Sequence, residues 1–465
     1  MSNVSAFFLP KSIAVIGASQ NPTKLGYKVL YNLVRWGYKG KLYPVNPRYK
    51  EVSGLRCYAS ILDIPDDIDL AIVTIPAEYT PRVMEEIGRK GVKAVIMVTS
   101  GFSEVGNVEL ERKIIEIAKR YGVRLLGPNI FGVIYTPNNL NATFGDERLD
   151  PEPGDIALIS QSGALGVALI GWAKMERLGI SALVCVGNKA DVDDADIIEF
   201  LGNDQSTEVI LIYMEDIKEP RKFLKVARKV AVKKPIIVTK AGRTSKGARA
   251  AASHTGALAA PYHLYEALFK QSGILYTNSV VEAFYWARML KAPYHYYGDN
   301  ILVITNGGGA GVVATDAIEE RGLTLMDLPE DLKEKYRELL PPYIRVGNPV
   351  DLAAYADRDM YYKALSIGLR DNRVHIILVI NVHSAHAFPQ EIVNGVLDAN
   401  EKENVYNKPV IFCCIGGEKA IEAIKYANER GIPAYWGPEA AVSAIYAFVT
   451  YHKIRRKILE KGLIL

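Results

Sequence analysis

One histidine, His254, stands in the run Ser253-His254-Thr255-Gly256-Ala257-Leu258-Ala259, behind a stretch of alanines. No bulky apolar side chain is at hand to hold it as core. Lys240, Arg243, Lys246 and Arg249 precede it, and no acidic residue occurs between Glu219 and Glu266. A neutral imidazole is a good nucleophile near pH 7. Small neighbours and cationic surroundings suit attack on phosphorus and retention of the resulting phosphate. Taken alone, the same residues also describe a solvated histidine on a flexible basic loop.

Two strand-to-helix turns supply a place for such a phosphate. Asp155–Ser160 reads as a strand, followed by Gln161-Ser162-Gly163-Ala164-Leu165-Gly166-Val167 and a helix to about Arg177. Ile301–Thr305 reads likewise, followed by Asn306-Gly307-Gly308-Gly309-Ala310-Gly311-Val312 and a helix to about Arg321. In register, Gly163 meets Gly308 and Gly166 meets Gly311. A second match follows in the same order, Gly187-Asn188-Lys189-Ala190-Asp191 against Gly347-Asn348-Pro349-Val350-Asp351, which suggests a duplicated α/β unit. Small residues at a helix start expose backbone N–H groups at the positive end of the dipole. Ser162, Gly163, Ala164 and Gly307, Gly308, Gly309, Ala310 are therefore the expected phosphate-binding residues. The alternative is that these glycines only permit tight helix–sheet packing.

These turns must be positioned by sheets. In residues 1–148, short apolar runs at Ser12–Ile16, Lys41–Val45, Leu70–Ile75, Ala94–Val98 and Arg124–Leu126 alternate with helical patterns such as Leu25–Trp36. That alternation predicts a parallel, doubly wound sheet with its ligand beyond the strand carboxyl ends. The nicotinamide-dinucleotide fingerprint fits poorly: Ser19 occupies a glycine position, and the second strand ends in Val45-Asn46-Pro47-Arg48, with no acid for a ribose diol. A cationic strand end, with Lys24 and Lys28 nearby, better suits a nucleotide carrying an extra phosphate, as coenzyme A does.

Composition sets outer bounds. At 465 residues the chain has room for about three domains. Balanced charge, with a net of +4, does not argue for nucleic acid. Cys57, Cys185, Cys413 and Cys414 form no C-x-x-C pair, so neither zinc nor a disulfide framework is suggested. The N-terminus does not read as a signal peptide, and runs such as Ile376–Val382 fall short of a membrane span. The expectation is a cytoplasmic protein without membrane association. His383 and His386 could pair on a metal, but no third ligand is evident, so they are read as loop polar residues and no metal site is expected.

The motifs I-G-A-S-x-N-P-x-K-x-G, Y-P-V-N-P-R, Ile75-Pro76-Ala77 and Gly127-Pro128-Asn129 resemble the CoA-binding domain of the nucleoside-diphosphate-forming acyl-CoA synthetases, the superfamily of succinyl-CoA synthetase. The resemblance implies that Gly17, Ser19, Lys24, Asn46, Pro47, Arg48, Ile75, Pro76 and Asn129 line the CoA site. Many relatives carry cysteine after G-P-N; here Ile130 stands there. Ser253–Ala259 resembles the family's active-site loop, with His254 on its phosphorylated histidine. Leu211–Glu215 resembles the strand whose terminal glutamate fixes that ring, with Asp216 adjacent.

The resemblance covers nearly the whole chain. It implies an α/β fold with a Rossmann-like CoA-binding domain (1–148), a flavodoxin-like ligase domain with the phosphohistidine loop (149–292) and a second flavodoxin-like ligase domain (293–465), with a break at Lys291–Asn300. In this superfamily both helix starts point at one phosphohistidine. The order of domains resembles the α subunit of the archaeal type of ADP-forming acyl-CoA synthetase. There is no P-loop and no room for an ATP-grasp fold, so ADP/ATP and Mg²⁺ are expected on a separate ATP-grasp β subunit, in an α₂β₂ assembly. The expected reaction converts a small acyl-CoA, ADP and phosphate to acid, CoA and ATP. Two other readings are a non-catalytic CoA-binding regulatory protein and a nicotinamide-dependent oxidoreductase, which Asn46 opposes.

Overall fold

The computed structural model describes residues 3–255, 260–384 and 387–462. Residues 1–283 with 458–465 gather as one unit, and residues 284–457 as another. In the first unit β1 (Ser12–Ile16) leads through α1 (Leu25–Arg35) to β2 (Lys41–Val45), then to a hairpin of β3 (Glu51–Val52) and β4 (Leu55–Arg56). β5 (Leu70–Val73), α2 (Thr80–Lys90), β6 (Ala94–Met97), α3 (Val108–Tyr121) and β7 (Arg124–Leu126) follow. The five main strands form a parallel sheet in the order β2-β1-β5-β6-β7. β1, β5 and β6 are buried along their whole length, which their continuous apolar runs require of a sheet covered on both faces.

The second sheet holds β8 (Gly132–Tyr135), β9 (Leu140–Thr143), β10 (Pro153–Ser160), β11 (Ile180–Cys185), β12 (Val209–Met214), β13 (Ile236–Lys240) and β14 (Leu275–Thr277). Helices α4 (Gly163–Met175), α5 (Asp194–Asn203), α6 (Pro220–Ala231), α7 (Ser245–Thr255) and α8 (Tyr262–Ser272) connect its parallel strands. Its order is β14-β13-β12-β10-β11-β8-β9. Residues 132–143, expected with the first segment, therefore extend the second sheet: β8 runs antiparallel to β11. The Thr136 hydroxyl, in the turn after β8, donates to Ile180 O at 2.8 Å, and Asn32 of α1 reaches over to Thr143 O at 2.9 Å.

In the second unit β15 (Asn300–Thr305), α10 (Gly308–Glu320), β16 (Thr324–Leu325), α11 (Glu330–Leu339), β17 (Val350–Asp351), α12 (Arg358–Arg370), β18 (Ile376–Val382), α13 (Pro389–Glu403), β19 (Val410–Ile415), α14 (Gly417–Glu429) and β20 (Ala434–Tyr435) build a parallel sheet. Its path is β16-β15-β18-β19-β20, with β17 also beside β15. Helix α9 (Val280–Lys291) reaches past the break between units, and α15 (Pro438–Glu460) closes the fold. The later part of α9 is tied to this unit by Trp286 Nε1, which donates to Ser443 Oγ at 2.8 Å, and by the Tyr435 hydroxyl, which donates to Tyr285 O at 3.0 Å.

In each sheet one strand stands between the next parallel strand of the chain on one flank and a later one on the other: β1 between β2 and β5, β10 between β11 and β12, and β15 between β16 and β18. The topological switch point falls beside β1, β10 and β15, where such folds bind ligands. The duplication holds at this level: Ser160 pairs with Tyr213 as Thr305 pairs with Ile380. The second sequence match does not hold. Asp351 stands beside Thr305, whereas the residue beside Ser160 is Cys185, before Asp191 in the chain. At β1 the chain turns through Gly17 at φ +91°, and Gly26 packs onto it so closely that a Cβ would lie 2.0 Å from Gly17 O. Gly26→Ala is therefore expected to cost about 2–3 kcal/mol or more. A fall in the urea midpoint checks this, and an unchanged midpoint contradicts it.

Candidate functional site

The switch point of the second sheet is built by two strand ends. β10 stops at Ser160; Gln161 follows, and Ser162 caps α4, its hydroxyl accepting from Leu165 N at 3.3 Å. Helix geometry leaves the first-turn amides of Gly163 and Ala164 without an intrahelical acceptor. One strand over, β12 stops at Met214 and delivers Glu215 and Asp216. Gln161 Oε1 accepts from Glu215 N at 2.8 Å and from Asp216 N at 3.0 Å, while its Nε2 donates to Asp216 Oδ1 at 2.7 Å.

Asp216 is held from its other side as well. The fully buried Lys189 ammonium lies 2.7 Å from Asp194 Oδ2, 3.0 Å from Asp216 Oδ1 and 2.8 Å from Asp216 O. Burial alone would raise the Asp216 carboxyl, but the charge of Lys189, with Lys218 behind it, outweighs burial and holds it below the usual range. Glu215 has other surroundings. Both acids line a small cleft with Asn129, Gln161, Asn188 and Lys218, but a different neighbour is paired with Glu215. The neighbouring Tyr213 phenol is pushed up to about 12, first by burial and then by the charge of Glu215 and a hydrogen bond to it. The two adjacent acids thus have different partners.

Lys240, at the end of β13, is a second buried ammonium, 4.2 Å over the Tyr265 ring. Burial holds it down to about 8, against the pull of Asp216 and Glu215. It opens the segment that forms α7, the helix reaching Thr255. The side chain of His254, like those of residues 252–259, lies outside the described residues. The backbone of α7 runs against the 3₁₀ turn Ser103–Val105. In that turn Glu104 is tied to Asn188, whose Nδ2 lies 2.7 Å from Glu104 Oε2 and 2.8 Å from Glu111 Oε2.

The expected CoA residues divide into two places. Around the switch point of the first sheet, Ser19 Oγ accepts from Asn21 N at 3.0 Å, and Asn46 Nδ2 donates to Ala18 O at 2.7 Å. Asn46 Oδ1 accepts from Arg48 N at 2.9 Å, so this residue ties the second strand end to the first loop. Lys24, Pro47, Arg48 and Pro76 are exposed along this edge, with Ile75 half-buried. The positive φ at Gly17, the start of α1 and the exposed cations fit a phosphorylated nucleotide. Asn129 is placed elsewhere. Held at φ +62° with its N–H on Thr99 O at 2.9 Å, it lies in the cleft with Glu215. Gln161, Asn188 and Lys189 were not among the expected residues. Gln161 and Asn188 reach partners 54 and 84 residues away, and Lys189 joins the nearby Asp194 to Asp216, 27 residues away, so no local pattern marks the cluster.

The second unit repeats half of this arrangement. α10 starts after Gly307 with no side-chain cap, again exposing first-turn amides. Asn306 matches Gln161: its Oδ1 accepts from Val382 N at 2.7 Å and its Nδ2 donates to Val382 O at 2.9 Å. The place of Glu215 is thus taken by Val382, and this copy offers a helix end without the acid. A Cβ on Gly308 would lie 2.9 Å from Asp351 Oδ2. His383 Nδ1 is 3.4 Å from Gly416 O; His386 lies outside the described residues. Among the described residues no three His, Cys, Asp or Glu side chains gather as a metal site, and no helix is long and apolar enough to cross a membrane.

Two stability predictions follow from the buried lysines. Lys189→Met strands Asp194 and Asp216 and is expected to cost about 3–5 kcal/mol, part of it recovered in Lys189→Met/Asp216→Asn. Urea denaturation checks both; a neutral single variant contradicts the ion-pair account. For Lys240 the folded value, about 8, lies below the ordinary 10.5, so between these pH values the unfolded chain binds more protons. Wild-type stability relative to Lys240→Met is expected to rise from pH 8 to 10.5; a flat difference contradicts this.

The chain matches three families along its length: "CoA binding domain" over residues 11–136, "Succinyl-CoA ligase like flavodoxin domain" over 153–290 and "Ligase-CoA domain" over 301–456. It is 49% identical, over 99% of its own length and 100% of the relative's, to acetate–CoA ligase [ADP-forming] I subunit alpha of Pyrococcus furiosus. Subunit alpha of isoenzyme II from that organism is 42% identical, with 96% and 97% covered. Acetate–CoA ligase [ADP-forming] I of Archaeoglobus fulgidus is 41% identical over 97% of this chain, which spans 64% of that relative. Among solved structures, the dinucleotide-forming acetyl-coenzyme A synthetase 1 of Ca. Korarchaeum cryptofilum, in complex with phosphate and ADP, superposes with a TM-score of 0.94 at 43% identity, covering 99% of each chain. With the three domains in this order and full-length relatives at this identity, the chain belongs to the family of ADP-forming acetate–CoA ligase α subunits.

Proposed function

We propose that this chain is the CoA-binding, histidine-phosphorylated subunit of an ADP-forming acetate–CoA ligase, working with a separate ATP-grasp β subunit in an α₂β₂ cytoplasmic enzyme. CoA lies along Gly17, Ser19, Lys24, Asn46, Pro47, Arg48, Ile75 and Pro76, with its acyl end towards Asn129. A phosphate oxygen attacks the thioester carbonyl, the C–S bond breaks, and CoA leaves as the thiol, giving acetyl phosphate. A ring nitrogen of His254 then attacks phosphorus, the P–O bond to the acetyl group breaks, and acetate departs. The phosphoryl group passes to ADP, which the β subunit holds with Mg²⁺. Covalent transfer divides one difficult step into easier ones.

The chain's own residues serve these steps by position and charge. Glu215 accepts the ring N–H of His254, which leaves the other nitrogen free to attack and balances the charge of the phosphorylated ring. The amides of Ser162–Ala164 and Gly307–Ala310 stabilise charge on the transferring group. The observation that carries this reading is the cleft where Glu215, Asn129 and Gln161 meet at the switch point, beside the start of α4. The regulatory alternative is not favoured, because relatives over nearly the whole chain are named as ADP-forming ligases.

The test is ATP formation from acetyl-CoA, phosphate and ADP by this chain with its β subunit. His254→Ala is expected to abolish it. Glu215→Gln is expected to lower kcat on the order of 10²-fold or more with KM for acetyl-CoA unchanged. Full activity in Glu215→Gln would overturn the assignment of the acid. A thermal shift with NAD and none with CoA would overturn the nucleotide.

A further inference from the structure

We propose that Gln161 is a positioning residue for this transfer, holding the Glu215 turn to the start of α4 so that the carboxylate and the helix amides keep one register. The inference rests on the reading of Glu215 and α4 given above. Gln161 is 7% exposed and directly precedes the capping Ser162. Its backbone N–H is fixed on Tyr213 O at 3.1 Å. Its side chain then accepts from both amides of the turn and donates to Asp216, whose carboxylate Lys189 holds from behind. Any shift of α4 relative to β12 must break these bonds together.

The duplicated unit supplies a comparison within the same chain. Asn306, one methylene shorter, reaches only the backbone of Val382. The longer amide, and the acid it reaches, occur in the copy whose turn carries Glu215. Sheet architecture alone is satisfied by asparagine, so the extra reach of Gln161 belongs to the turn with the acid. Misplacement of a reacting group by about 1 Å can cost on the order of 10²-fold in rate.

The test uses the complete enzyme with its β subunit and measures kcat, KM and phosphorylation of this chain. Gln161→Asn cannot span to Asp216 and is expected to lower kcat about 10- to 100-fold, with KM for acetyl-CoA and phosphate unchanged. Gln161→Glu keeps an acceptor for both amides but sets a carboxylate against Asp216 and Glu215, with the Lys189, Lys218 and Lys240 ammonium groups around these two acids. Lowering the pH protonates the introduced acid and restores a donor to Asp216. Its kcat relative to wild type is therefore expected to recover between pH 8 and 5.5, while Gln161→Asn shows no recovery. Should Gln161→Asn fail to fold, the pH profile of Gln161→Glu decides alone. Wild-type kcat in both variants with only a lower Tm, a loss confined to KM, or no recovery in Gln161→Glu would overturn the proposal. Wild type that takes up no phosphate would overturn the reading of the site itself, before any variant is compared.

Discussion

Two carboxylates in consecutive positions, Glu215 and Asp216, are buried at the end of one strand, and the site depends on keeping them apart in environment. Burying an ion costs several kcal/mol unless it is paired and hydrogen-bonded. Asp216 meets that condition through Lys189 and Gln161. Both acids line the cleft, and Asp216 is the one bound in this way, while Glu215 is paired with the Tyr213 phenol. The Lys189–Asp194 contact anchors the same ammonium to the start of α5, so the turn is tied to the second sheet by more than its own strand.

The three sheets share one topological device and use it differently. In the first, the turn after the leading strand packs Gly26 against Gly17 and sets cations along its edge. In the second, the turn is joined to two acids and a helix start. In the third, the helix start persists, but Val382 replaces the acid. The second and third sheets thus share a helix start but differ beside it: Glu215 stands at the neighbouring strand end in one and Val382 in the other, where Asp351 instead lies near Gly308.

Much of this was legible in the sequence where short apolar runs met small-residue turns. Ser12–Ile16, Lys41–Val45 and Arg124–Leu126 are strands with the expected bounds, and the helix starts after Ser160 and Thr305 lie where the glycine spacing put them. What stayed hidden depends on distant partners. Gln161 reads as an ordinary residue until β12 is placed beside it. Lys189, at φ +52° after a strand, reads as a loop cation until burial is known. The match of Gly187–Asp191 to Gly347–Asp351 misled because similar short strings sit at different registers of their sheets. The strand Gly132–Tyr135 followed the first sheet so closely in sequence that only its pairing with β11 shows where it belongs.

The central claim is that this chain carries a phosphoryl group on His254. The direct measurement is incubation of the purified subunit, alone and with its β subunit, with acetyl-CoA and radiolabelled phosphate, comparing wild type with His254→Ala. The account predicts an acid-labile, base-stable label on the wild-type chain and none on the variant. Equal label on both, or no label on either when the β subunit is present, would contradict it.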